Sequence, residues 1–227
     1  MTQAIETTQT TLPSGAEMRT HGPGGARPVV CVNGGQGGDV PGDWSPSFRW
    51  LIAQIAPERP DLTFHLVRYR LKSWNRLQMC IDDALDAIEA VAHAGPVTLL
   101  GFSMGGAVSV AASAHPAVER VIGLAPWLPA ELDPSGLRGK GLTIVHGSLD
   151  AYLPGIPGVA AVESKRAASR LRAMGIAVDR TVIHGAVHPV AIGTPWGGVI
   201  PAPRAGTWRR LTEEALDASR VPAAEAA

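Results

Sequence analysis

The chain has only two cysteines, Cys31 and Cys80. Cys31 falls in an apolar run that reads as a strand and Cys80 in a stretch that reads as a helix, so both are expected as small buried side chains rather than a cross-link, which points to a reducing compartment. Excess charge is missing too: 20 Lys and Arg balance 20 Asp and Glu. That balance removes the broad attraction by which proteins hold nucleic acid or an anionic membrane surface. No apolar run approaches bilayer-spanning length, and Met1 to Leu12 is polar and Thr-rich, without the basic-then-apolar order of a secretion signal. A soluble cytoplasmic protein is expected, with a small-molecule partner, no nucleic-acid or membrane partner, no metal and no cofactor.

Apolar residues make up 45% of the 227 and charged ones 18%, which suits one globular domain with a sizeable core. Short runs rich in Val, Ile and Leu recur at Val29 to Val32, Leu62 to Val67, Val97 to Leu100, Val121 to Leu124, Leu142 to Val145 and Ala177 to Ile183, the pattern of buried strands. Helical patterns lie between them. Over residues 75 to 93 Leu77, Ile81, Leu85, Ile88 and Val91 follow helical spacing, with Asp82, Asp83, Asp86 and Glu89 on other faces. Further helices are expected over 104 to 114, 159 to 174 and 207 to 218. Alternating strands and helices imply an α/β fold with a mostly parallel sheet covered on both faces. The expected organisation is a frayed N-terminal segment 1–20, in which 12 to 20 has the alternative of adding short edge strands, a single domain over 21–220 and a frayed tail 221–227.

The sequence Val97-Thr98-Leu99-Leu100-Gly101-Phe102-Ser103-Met104-Gly105-Gly106 reads as strand, tight turn and helix. It contains G-x-S-x-G. In a chain with 26 glycines the bare string is weak, and its strand-to-helix context makes it a nucleophile elbow. The flanking glycines have a steric reason, because the turn brings backbones too close for a Cβ. The serine then sits at a helix N-terminus, where developing negative charge is favoured.

A serine hydroxyl needs a base, and histidine titrates near neutrality. After the last apolar strand the chain reads Thr181-Val182-Ile183-His184-Gly185-Ala186-Val187-His188-Pro189. His188 lies in the loop and can swing over Ser103, whereas His184 at the strand end is aimed by the pleat, so His188 is favoured. Asp150, in His146-Gly147-Ser148-Leu149-Asp150 after the strand 142 to 145, is the favoured orienting acid. Asp133, beside Pro134, Ser135 and Gly136, is the alternative and reads better as a turn. His146 is expected to orient the turn leading to Asp150. His21, His65, His93 and His115 read as surface or capping residues.

Attack on an ester creates an oxyanion that needs two donors already in place. Met104 N–H is one. The other is expected from the loop Asn33-Gly34-Gly35-Gln36-Gly37-Gly38, with Gly35 favoured and Gln36 the alternative. That loop lacks the spacing of a dinucleotide fingerprint or a P-loop, and Trp44-Ser45-Pro46 interrupts it. Trp44, Trp74, Trp127 and Trp196 fall in loops on the ligand-binding edge of such a sheet. Together with Gln36 they suggest an aromatic, largely uncharged substrate pocket, and Arg68, Arg70 and Lys72 form a small basic cluster nearby. Only residues 125 to 141 separate the strand ending at Leu124 from the next, too few for a cap domain.

Over Pro28 to Arg220 the G-F-S-M-G, H-G-S-L-D and G-A-V-H segments resemble the α/β-hydrolase superfamily, and the compact plan is similar to small carboxylesterases, lysophospholipase-type enzymes and the dienelactone hydrolase group. The last group carries cysteine where Ser103 stands, and many relatives open the oxyanion loop with a His-Gly pair where this chain has Asn33. The resemblance implies a serine hydrolase of a carboxylic ester or thioester, with a catalytic triad of Ser103, Asp150 and His188. Two other readings use the same residues: a receptor-like ligand-binding protein with little turnover, and a cofactor-free perhydrolase or haloperoxidase.

Overall fold

The computed structural model describes residues 7–23, 26–152 and 158–218; the expected tail 221–227 lies outside them, as does the beginning of the segment 1–20. Eight strands form one sheet: β1 (Thr7–Thr11), β2 (Glu17–His21), β3 (Arg27–Val32), β4 (Leu62–Arg68), β5 (Val97–Phe102), β6 (Val118–Leu124), β7 (Leu142–Gly147) and β8 (Val178–Ile183). Their spatial order is β1-β2-β4-β3-β5-β6-β7-β8. β1 and β2 pair antiparallel, β2 meets β4 antiparallel, and every later pairing is parallel. Five helices cover it: α1 (Pro46–Ile55), α2 (Leu77–Val91), α3 (Met104–Ala112), α4 (Ala161–Ala173) and α5 (Ala205–Asp217). A separate hairpin, β9 (Ala191–Gly193) and β10 (Val199–Pro201), lies between β8 and α5.

The two-residue period of the strands divides the core in two. Val30, Val32, Leu99, Val121 and Ile144 pack with α2, α3 and α4, while Val29, Cys31, Leu100, Ile122 and Val145 pack with α1 and α5. Both cysteines are free and buried. The deepest line of α2 is Cys80, Ala84, Ala87, Ile88 and Val91, with the expected Leu77, Ile81 and Leu85 only partly buried at its side. The small residues let α2 approach its neighbours closely. Asp83, which helical spacing sets off the apolar line, is fully buried and accepts both Arg70 N–H, at 2.9 Å, and Arg70 Nε–H, at 2.7 Å. A buried carboxylate needs such partners.

Trp44-Ser45-Pro46, read as a loop interruption, is the start of α1. Ser45 is the N-cap, its hydroxyl accepting Phe48 N–H, and Pro46 stands where a missing N–H does no harm. Between β6 and β7 the linker 125–141 holds a single short 3-10 turn, Ser135–Leu137, and no cap domain.

His65, expected at the surface, is buried in β4, with Nδ1 3.0 Å from Thr20 Oγ1 on β2. Burial, aided by the charges of His21 and His93, lowers its pKa to about 4. A histidine held neutral contributes stability above its unfolded pKa, near 6.5, and the contribution is lost as pH falls towards the folded value, because only the unfolded chain then takes up the proton. The shift corresponds to about 3 kcal/mol once pH is below both values. We predict that urea unfolding of the wild type loses stability between pH 6.5 and 4, and that His65→Gln loses distinctly less over that window. Equal losses in the two proteins would refute the assignment.

Candidate active site

The turn from β5 into α3 is built by backbone contacts that tolerate no side chain. A Cβ on Gly101 would stand 2.3 Å from Gly105 O, and one on Gly105 would stand 2.0 Å from Val32 O. Between them Ser103 adopts φ 56°, ψ −120°, a strained conformation for a non-glycine residue. Three hydrogen bonds hold it there: Ser103 N–H to Leu124 O at 3.0 Å, and Gly106 N–H and Trp127 N–H to Ser103 O, each at 2.9 Å.

Asp150 and His188 are brought together by a lacing of the loops after β7 and β8. Ser148 N–H donates to Ile183 O at 3.0 Å, Leu149 N–H to Ala186 O at 2.9 Å, and Gly185 N–H to Ser148 Oγ at 2.9 Å. Gly147 passes so near that a Cβ would lie 2.5 Å from Ala186 O. His188 Nδ1 then lies 2.8 Å from Asp150 Oδ1, with both groups buried. The same oxygen accepts Val159 N–H at 2.6 Å. His146, fully buried, donates from Nε2 to Val159 O at 2.7 Å and stands 3.3 Å from Asp150 Oδ2, which has no hydrogen bond among the described residues. Burial works against the charge on Asp150, but the contacts and positive character of His146 and His188 outweigh it and hold the carboxyl below its ordinary pKa.

Of the alternatives, His184 is exposed, and Asp133 is an exposed turn residue that accepts Ser135 N–H and Oγ–H. Ser103 and His188 line one cavity of about 250 Å³, with no hydrogen bond between them among the described residues. Such a contact commonly tightens only when substrate is bound. The His188 ring packs on Phe102, centroids 5.0 Å apart.

The oxyanion loop approaches the same cavity. Gly34 N–H is held by Asn33 Oδ1 at 2.7 Å and Gln36 N–H by Lys72 O at 3.2 Å, whereas Gly35 N–H has no partner among the described residues. Gly35 packs on Met104, whose sulfur would be 2.3 Å from a Cβ. Met104 opens α3, so its own N–H has no acceptor within the helix. Gln36, the alternative to Gly35 in the sequence reading, lines the cavity with its N–H engaged by Lys72 O.

The aromatic pocket expected from Trp44, Trp74, Trp127 and Trp196 is absent: none of the four lines this cavity. Trp44 lies under the guanidiniums of Arg19 and Arg68, 4.2 and 5.2 Å from its centroid, and packs towards α1. Trp74 packs against the loop at Gly35 and Gly37, 3.4 and 3.9 Å from where their Cβ atoms would stand. The Trp127 side chain packs into the α2/α3 core, and Trp196, 81% exposed, sits in the β9–β10 turn. Small and polar groups take their place, among them Gly34, Ser45, Ser47, Ala191 and Gly193. The basic cluster is neutralised residue by residue, with Arg68 on Glu17, Arg70 on Asp83, and Lys72 on Asp43 at 2.5 Å. Only Lys72 and Asp43 of these reach the cavity.

No protein-family model matches the sequence, and no curated protein matches it. Solved structures match over most of the chain. An α/β serine hydrolase homologue from Coxiella burnetii is 20% identical, TM-score 0.65, covering 93% of this chain and 96% of that one. A dienelactone hydrolase from Anabaena variabilis is 16% identical, TM-score 0.67, covering 93% and 97%. An α/β serine hydrolase without lid from Xanthomonas campestris is 15% identical, TM-score 0.58, covering 83% and 87%. The chain has the α/β-hydrolase fold without a cap.

Sequence reasoning missed Ser47, which α1 places against the histidine loop. Its buried hydroxyl accepts Val190 N–H at 3.1 Å and Ala191 N–H at 3.3 Å and donates to Ala191 O at 3.3 Å. The N-cap pattern Ser45-Pro46 was the signal that could have located it. Ser47→Ala leaves two buried N–H groups unsatisfied and is expected to destabilise the protein by about 1–3 kcal/mol. Urea unfolding at neutral pH measures this, and an unchanged midpoint would show that the tether carries no weight.

Proposed function

We propose that the chain is a serine hydrolase that cleaves carboxylic esters or thioesters through an acyl-enzyme on Ser103. The observation that carries this reading is the meeting, at one cavity, of a serine held at φ 56° with a histidine bound to a buried carboxylate. Asp150, kept ionised, accepts a hydrogen bond from His188 Nδ1–H, which leaves the Nε2 lone pair as the base. Nε2 takes the Ser103 hydroxyl proton while Oγ bonds to the substrate carbonyl carbon, and the negative charge that develops on the carbonyl oxygen is met by the N–H groups of Met104 and Gly35. The tetrahedral adduct collapses by breaking the bond to the alcohol or thiol, which leaves with the proton from His188. Water then adds to the acyl-serine with His188 again as base, releasing the acid and restoring the hydroxyl.

The cavity bears on the acyl group. At about 250 Å³, with small residues such as Gly34, Ser47 and Ala191 in its wall beside Phe102 and Ile192, it lies at the small end of ligand sites and suits short acyl chains better than long ones.

Ser103→Ala is expected to retain the fold and lose about a million-fold in kcat on nitrophenyl esters. A fluorophosphonate probe is expected to label the wild type at Ser103 and not the variant. Near wild-type hydrolysis by the variant would end the serine-hydrolase reading, and labelling without turnover on any ester or thioester would favour the ligand-binding alternative. In an acyl-length series the acetyl and butyryl esters are expected to exceed the decanoyl ester in kcat/KM by about tenfold or more; the reverse order would contradict the short-chain assignment.

A further inference from the structure

We infer that Asn33 is the positioning residue of the oxyanion loop, with the Asp43–Lys72 ion pair at the cavity rim holding its side chain in register. The inference rests on the serine-hydrolase reading above and names a device that aims one of its donors.

Asn33 follows directly on β3 and is buried. Every polar group it presents to its surroundings is engaged: Oδ1 accepts Gly34 N–H at 2.7 Å, Nδ2 reaches Asp43 Oδ1 at 3.2 Å and Asp43 O at 3.3 Å, and its main-chain oxygen accepts Tyr69 O–H at 3.0 Å. The amide has only one workable orientation, since the reverse would set its NH₂ against the Gly34 N–H and its oxygen against two acceptors. Asp43 uses its second oxygen on Lys72 Nζ, at 2.5 Å. Lys72 grips the loop by its backbone as well, accepting Gln36 N–H at 3.2 Å and donating to Val40 O at 2.9 Å.

Three consecutive amides are thereby sorted. Gly34 is turned to the Asn33 side chain and Gln36 to Lys72, which leaves the Gly35 N–H between them without a partner among the described residues, in a loop that lines the same cavity as Ser103. A Gly-Gly pair is otherwise free to rotate its peptide. Rotation of the 34–35 peptide would withdraw the Gly35 N–H and turn a carbonyl oxygen towards the forming oxyanion. The Asn33 side chain anchors the 33–34 peptide through the Gly34 N–H and the Lys72 carbonyl anchors the 35–36 peptide through the Gln36 N–H, so the peptide that carries the Gly35 N–H is framed by two fixed neighbours, and the ion pair fixes the Asn33 amide. Because the Asp43 carboxylate is about half exposed, the pair acts by orientation more than by Coulomb energy.

A donor aimed at charge that appears only in the transition state affects kcat and leaves substrate binding alone. With nitrophenyl acetate, Asn33→Ala is expected to lower kcat by about 100-fold with KM within about twofold of wild type. Asn33→Asp, which sets a second carboxylate against Asp43, is expected to be at least as slow. Combining it with Asp43→Asn exchanges the amide and the carboxylate, so that Gly34 keeps an acceptor and position 43 becomes the donor; this double variant is expected to recover kcat to within about fivefold of wild type, the non-additivity of coupled neighbours. Lys72→Met is expected to give a smaller loss in kcat. Wild-type kcat in Asn33→Ala, a rise in KM with kcat intact, or a double variant that melts like the wild type yet is no faster than Asn33→Asp would each overturn the inference. Should Asn33→Ala fail to fold, the double variant decides alone. Failure of the serine-hydrolase reading shows differently, as activity that survives Ser103→Ala.

Discussion

At Gly105 the helix that follows the serine lies against the end of β3 so closely that a Cβ would stand 2.0 Å from Val32 O. No rotamer or side-chain shift relieves a clash between two backbones. That contact sets the angle at which α3 leaves the sheet, and with it the turn that forces Ser103 to φ 56°. It also ties two halves of the site together, because Val32 is the residue before Asn33 and the oxyanion loop therefore starts where the elbow ends. A conformation costing about 1–3 kcal/mol persists only where its surroundings leave no other choice. Here the hydrogen bonds from Ser103 to Leu124, and from Gly106 and Trp127 to Ser103, supply that restraint from β6, α3 and the loop after β6.

The second constraint is electrostatic. Asp150 is fully buried, and a carboxylate in that position must collect donors or give up its charge. It has Val159 N–H and His188 Nδ1–H on one oxygen and His146 near the other. His146 meets two needs at once, since its bond to Val159 O holds the segment whose N–H returns to Asp150. The charge that orients His188 therefore depends on a second histidine that touches neither Ser103 nor the cavity.

What could be read from the chain follows the range of the physics involved. The strands β3 to β8, four of the helices and the places of Ser103, Asp150 and His188 in turns and loops were legible because each leaves a local trace: β-branched runs, helical spacing, glycines at a turn that admits no Cβ, and loops directly after strands; β1, β9 and β10, short and without such runs, were not. Phe102 carries no such trace for its packing on His188, and Ser47 only the indirect one of the Ser45-Pro46 cap, because their importance lies in what α1 and the loop after β8 bring beside them. The tryptophans failed as pocket residues for the same reason. Their position at the ligand-binding edge of the sheet was readable, but whether an indole turns inwards was decided by partners remote in sequence, such as Arg19 and Arg68 for Trp44. The burial of Asp83, and of His65, which read as a surface or capping residue, was not legible because polarity is a sound guide to exposure only until a buried partner, here Arg70 or Thr20, is available.

The cavity shows how a common scaffold acquires a particular character. Sheet order, elbow and acid–base loops belong to the fold, and they locate the reacting atoms without specifying what surrounds them. The surroundings come from segments the scaffold leaves free to vary: α1, entered through Ser45-Pro46, the β9–β10 hairpin carrying Ala191 and Gly193, and the loop from Asn33 to Asp43. These segments are fastened by side chain to backbone bonds, Ser47 to Val190 and Ala191, and Asn33 to Gly34, as well as by the apolar packing of Phe48, Leu51 and Val190. Each tether satisfies groups that would otherwise be buried unpaired, so the loss of a single hydroxyl or amide at the cavity wall exposes its backbone partners to that cost.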